Sequence, residues 1–161
     1  MKSPHCRFGM VAALSLFVAG CGEHDHDHDH GTAAGSGHHH GSAHGGVAVE
    51  LGEHQFHLDF LHDATNGALT AWVMDAHVEN FIRVSLRSLD VQIVTEGRTN
   101  AITLEAVANP ATGESVGDTS MFRGTSDSLK GLTKFSGHVG PLEIRGVRLP
   151  AASFQYPAPS H

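Results

Sequence analysis

In HQFHLDFLHDATNGALTAWVMDA, residues 54–76, apolar and polar side chains alternate on both sides of Asn66-Gly67. A period of two is the signature of a strand with one buried face, and Asn-Gly between two such runs is a strong hairpin signal. A loop of two residues and a loop of four give the same pairing parity, so the faces can be read before the turn is known. Phe56, Leu58 and Phe60 share the core face with Leu69, Ala71 and Val73. His57, Asp59 and Leu61 share the opposite face with Thr70, Trp72 and Met74, and the sequence leaves open whether a second layer or a partner covers Trp72 and Met74.

The pattern continues downstream. Ile82, Val84 and Leu86 alternate in one phase and Leu89, Val91 and Ile93 in the other, which predicts two short strands with a break or bulge near Ser88. Glu96-Gly97 turns the chain into AITLEAVA, and Asn109-Pro110 ends that run. Further strands are expected at 120–124, 135–139 and 142–149, with a helical turn in SDSLKGL and a loose tail in YPAPSH. Seven or eight short strands separated by turn residues, with no long helical period, predict an all-β fold. The expected form is an antiparallel β-sandwich, immunoglobulin-like or fibronectin-like, over residues 47–161.

Upstream of residue 47 the composition breaks. Residues 22–46 hold glycine, histidine, aspartate and small residues but no Val, Ile, Leu, Phe, Trp or Tyr, so they cannot build a core and are expected to form a disordered tether. A Gly-rich coil of that length spans roughly 25–30 Å on average. Before it, residues 1–20 run from Lys2 and Arg7 through an apolar stretch to small residues, the order of a secretory signal peptide. The segment Val18-Ala19-Gly20-Cys21 resembles the lipobox of bacterial lipoproteins. That resemblance implies diacylglyceryl attachment at Cys21, cleavage before it, and a mature protein anchored in the cell envelope outside the cytoplasm, with the periplasmic face of the outer membrane favoured by Gly22. Lipidation also accounts for cysteine usage: of the two cysteines, Cys6 would leave with the leader, and Cys21 would otherwise be an unpaired thiol.

Residues 21–46 also carry the most distinctive chemistry. His24, His26, His28 and His30 alternate with Asp25, Asp27 and Asp29, and His38, His39, His40 and His44 form a second cluster. Imidazole is a good ligand for Cu²⁺, Ni²⁺ and Zn²⁺, and carboxylates add oxygen donors and negative charge. A flexible chain must order itself around the ion, so binding is expected to be modest and exchangeable, with copper above nickel and zinc. It should also weaken in mild acid, as histidine titrates near 6.5. The tract resembles the His/Asp-rich loops of periplasmic zinc-binding proteins and metal-efflux accessory proteins, and the region around residues 50–76 resembles domains of uncharacterised bacterial lipoproteins and modules preceding some efflux adaptors. These resemblances imply metal buffering or delivery beside a transporter or efflux component.

Charge supports the same class of partner. The chain carries a formal −7, and residues 47–161 hold 8 basic and 13 acidic residues, which argues against nucleic acid. No HExxH or Walker pattern is present, and no GxSxG elbow or GxGxxG stands between a strand and a helix, so no enzyme is predicted. A second candidate metal set lies in the folded part, at His54, His57, His62, Asp75 and His77, although the hairpin puts His62 and His77 at opposite ends. The competing reading is a non-catalytic envelope interaction or structural lipoprotein in which the histidine tract is only a spacer.

Overall fold

The structure is a computed structural model and describes residues 41–159. Among the described residues ten strands form: β1 Val47–Leu51, β2 Phe56–Asp63, β3 Ala68–Met74, β4 Ser88–Thr95, β5 Arg98–Ala106, β6 Met121–Thr125, β7 Phe135–Val139, β8 Leu142–Ile144, β9 Val147–Leu149 and β10 Ala152–Tyr156. A short 3-10 turn, Asp127–Leu129, is capped by the Ser126 side chain, which accepts from the Ser128 N–H, and it fills the place where a helical turn was expected.

The predicted hairpin is β2–β3, with Leu58 opposite Val73, Asp59 opposite Trp72 and Phe60 opposite Ala71. Its loop has four residues. Asp63 organises it by accepting from the Thr65 N–H at 2.9 Å and the Asn66 side chain at 2.7 Å, and the Gly67 N–H donates to the Asp63 carbonyl. Glu96 and Gly97, both at positive φ, close the β4–β5 hairpin, in which Thr95 pairs with Arg98. Ile82 and Val84 are buried as the alternation requires, yet residues 82–86 do not form a strand. They make only bridges, because the Ile82 N–H donates to Val73 while Val84 exchanges hydrogen bonds with Thr119, so the segment steps between two ladders. The stretch 142–149 is a hairpin, β8–β9, rather than one strand. β10, which was not expected, precedes the supposed tail and takes in only its first residue, Tyr156; it is paired along its length with β7.

Eight strands join into one antiparallel sheet in the order β1-β2-β3-β6-β5-β4-β7-β10. An immunoglobulin-like sandwich would divide them between two sheets. Here the single sheet curls until its two edges, β1 and β10, run alongside each other without forming a ladder, which makes the fold all-β and nearly barrel-like. Curling removes exposed edges, the recurrent liability of open sheets. The interior is filled by alternate residues from every strand, among them Phe60, Leu69, Val91, Leu104, Phe122 and Val139, all fully buried. Phe154 of β10 stacks on Phe60 of β2 at 4.5 Å between ring centres, so aromatic packing spans the seam where backbone pairing stops.

Candidate functional site

By parity, His57, Asp59 and Trp72 point away from the barrel interior. Solvent should hydrate such a face, yet Asp59 is 0% exposed and His57 2%. The chain itself covers them from two directions. Residues 41–46, which composition assigned to the tether, lie against the outside of β2 and β3, and residues 75–82 fold over the adjoining end of the hairpin.

Local chemistry shapes both covers. The Ser42 hydroxyl accepts from the backbone N–H of His44 at 3.1 Å and of Gly46 at 2.8 Å, which curls the segment. Gly46 passes so close to β2 that a Cβ would come within 1.8 Å of the Phe60 carbonyl oxygen, so only glycine fits there. In the second cover the Asp75 carboxylate accepts from the Asn80 side chain at 2.6 Å and from the N–H groups of Glu79 and His77. Those hydrogen bonds, that from Asn80 foremost, pull its pKa down to about 2.

At the centre is one hydrogen-bonded pair, His44 and the buried Asp59. His44 Nδ1 donates to Asp59 Oδ2 at 2.7 Å, and the His44 backbone N–H donates to the same oxygen at 3.1 Å. The imidazole lies flat on the Trp72 indole, with centroids 3.7 Å apart and planes 7° from parallel, while Phe81 tilts against it at 5.9 Å. Among the described residues Asp59 Oδ1 has no hydrogen-bond partner. A buried carboxylate is tolerated only when compensated, and in this protein the compensating group is a residue of the histidine-rich segment. Beside this assembly a cleft of about 540 Å³ follows the β1–β10 seam, lined among others by Ser42, Val47, Glu50, His57, Ser153 and Gln155. Ser42 and His57 thus belong to both features.

The other histidines named from sequence are dispersed. His54 is exposed and pairs with Glu50 at 3.0 Å. His57 Nδ1 donates to the Asp75 carbonyl at 3.2 Å. His62, on the inward face at the far end of the hairpin, donates from Nε2 to the Leu129 carbonyl at 3.1 Å and meets the rings of Phe135 and Tyr156 edge-on. Burial lowers its pKa, against the opposing pull of the Leu129 carbonyl and Asp63. His77 is exposed in the loop that Asp75 organises. Among the described residues no three histidine, cysteine or acidic side chains converge as a metal cage, so the second candidate set is not brought together. Cys21, His24, Asp25, His26, Asp27, His28, Asp29, His30, His38, His39 and His40 lie outside the described residues.

Sequence reasoning gave Asp59 no role and left open what covers Trp72, although the hairpin parity already set the two on one outward face. An acid facing a tryptophan on a supposedly exposed face was the available signal, and nothing local pointed to His44 as its partner. Among the described residues no helix is long and apolar enough to cross a membrane. No protein-family model, characterised protein or solved structure matches this chain at a significant level.

Proposed function

We propose that this chain is an envelope lipoprotein, anchored through Cys21 outside the cytoplasm, whose histidine-rich segment gathers divalent copper, nickel or zinc as a buffer or feeder for a transporter or efflux component. The observation that supports this most is the docking of His44. His44, the last of the eight histidines in residues 24–44, is held against the sheet by the buried Asp59 carboxylate, which supports a role for these histidines beyond that of a spacer.

A spacer needs no such attachment. The competing reading, an envelope interaction module, draws its support from Phe81, which is 55% exposed next to His44, and from the cleft at the seam. Calorimetric titration of Cu²⁺, Ni²⁺ and Zn²⁺ into residues 22–161 separates the two. The comparison is the same chain with His24, His26, His28, His30, His38, His39 and His40 replaced by serine, which keeps residues 41–46 on the sheet. The metal reading expects most of the bound equivalents to disappear in the serine variant. Equal uptake by both proteins, or uptake by neither, would leave the interaction module as the better account.

A further inference from the structure

Three features lie beyond that reading. The cleft along the seam is bounded by two strand edges that already run side by side, and nothing in the structure identifies an occupant. His138 Nδ1 lies 3.0 Å from the Ser153 hydroxyl, but the two residues face each other across the β7–β10 ladder, and their contact is an ordinary cross-strand pair. The loop of the β2–β3 hairpin carries more, because its sequence names a reaction and its hydrogen bonds decide whether that reaction can begin.

Asn66-Gly67 is the only Asn-Gly pair in the chain. Asparagine before glycine is the pair most open to deamidation, since glycine has no side chain to shield its backbone nitrogen. The Gly67 nitrogen attacks Asn66 Cγ, so that the N–Cγ bond forms, the Cγ–Nδ2 bond breaks and ammonia leaves with the proton of the Gly67 N–H. Water then opens either side of the cyclic imide and leaves aspartate or isoaspartate at position 66. The attack needs a Gly67 nitrogen able to lose its proton and an Asn66 carboxamide free to swing over it, and the folded loop denies both. The Gly67 N–H donates to the Asp63 carbonyl at 2.9 Å. The carboxamide is held at both ends, as Nδ2 donates to Asp63 Oδ2 at 2.7 Å and Oδ1 accepts from the Ala68 N–H at 2.8 Å. Residues 126–131 brace the loop from outside: the Ser126 N–H donates to the Gly67 carbonyl at 3.0 Å and the Gly131 N–H to the Ala64 carbonyl at 2.8 Å. Asn66 itself is exposed, so it is these hydrogen bonds and not burial that restrain it.

We infer that Asn66 is a deamidation site kept closed by Asp63, and that it reacts when the β2–β3 loop opens. Once modified, the residue opposes reclosure. Aspartate at position 66 sets a second carboxylate where a donor stood 2.7 Å from Asp63, and the like charges repel. Isoaspartate also lengthens the main chain by one methylene inside a turn that fixes the hairpin register. Because Ser126 and Gly131 are hydrogen-bonded to the same loop, the change passes to residues 126–131, whose Leu129 is fully buried. A passing opening of one turn is thereby converted into a lasting change at this end of the sheet.

Peptide mass mapping of the full chain, incubated at mildly alkaline pH, follows the exchange of –NH₂ for –OH at Asn66. Native protein should react about tenfold or more slowly than the same chain unfolded in guanidinium chloride, since two hydrogen bonds, one of them to a carboxylate, must break before attack. Asp63→Ala removes the carboxylate that holds the carboxamide and should raise the native rate by roughly 10- to 100-fold, the equivalent of one hydrogen bond to a charged group. The comparison of native with unfolded chain uses unaltered protein, so it decides the matter even where Asp63→Ala fails to fold. In deamidated protein, amide exchange at Ser126 and Gly131 should quicken relative to the parent. Native and unfolded rates within tenfold of each other, or an unchanged native rate in folded Asp63→Ala, overturn the inference.

Discussion

Phe154 lies across Gly137 in the β7–β10 ladder, with its ring where a side chain at position 137 would stand. A Cβ there would come within 2.1 Å of Phe154 Cζ. The missing side chain lets the ring reach across the seam to Phe60, and an aromatic partner offsets the weakness of glycine inside a strand. Gly137→Ala should therefore cost about 1–3 kcal/mol through overpacking, and Phe154→Ala about 3–5 kcal/mol through the cavity it leaves. Urea denaturation measures both; a Gly137→Ala protein as stable as the parent would mean that the ring is free to move aside.

Gly46 offers a test closer to the site. Gly46→Ala forces its methyl group toward the Phe60 carbonyl, so residues 41–46 must lift. The expected result is a red shift of Trp72 emission as the His44 ring leaves it, with a loss of about 1–3 kcal/mol. An unshifted spectrum would show that the cover tolerates a side chain there.

His62 should make stability fall on mild acidification. Its folded pKa lies below the ordinary 6.5, first because burial disfavours the charged ring, so the unfolded chain binds the extra proton more readily. The resulting stability is complete above pH 6.5 and is lost as pH drops below it toward the folded value. Replacing His62 with glutamine should flatten the dependence of the denaturation midpoint over that interval. A slope that persists unchanged would have to originate at another histidine.

Asp75 acts at lower pH. Hydrogen bonds from Asn80, Glu79 and His77 hold its folded pKa at about 2, below the ordinary 3.8, so its contribution is present above 3.8 and is lost as pH falls through about 2. Asp75→Ala should release residues 75–82 at neutral pH. Amide exchange at Val78 and Ile82, whose N–H groups bond to the Asp75 and Val73 carbonyls, should then quicken by roughly 10- to 100-fold, the equivalent of one hydrogen bond to a charged group. Unaltered exchange would place the order of the loop elsewhere, for instance in the contacts of Arg83 with Asp118 and with the carbonyls of Thr112 and Gly113.

Much of the β architecture was legible because a strand writes its faces into alternate positions. The shared inward face of Leu58, Phe60, Ala71 and Val73, the turn at Glu96-Gly97, and the buried set Leu89, Val91 and Ile93 all follow from period and turn chemistry alone, whereas the register of Leu58 opposite Val73 waited on the length of the loop. The strands that escaped notice are those whose pattern is faint. β10, Ala152–Tyr156, shows one large buried residue, Phe154, among small and polar neighbours, and its pairing with β7 depends on a glycine fifteen or more positions earlier in the chain. Residues 82–86 misled in the opposite sense, since alternation records which side chains are buried and not whether the backbone follows a single ladder.

Sequence alone determined the strand-rich class, the inward face of the β2–β3 hairpin and the separation of a histidine-rich segment from a core-forming one, because each depends on neighbours within a few residues. Only the tertiary structure decided that the eight strands curl into one nearly closed sheet, and that the outward-facing Asp59 is buried under His44. Both outcomes arise from contacts between distant segments, β1 beside β10 and residues 41–46 on β2 and β3. There the hydration that local parity assigns to an outward side chain is displaced by another part of the same chain.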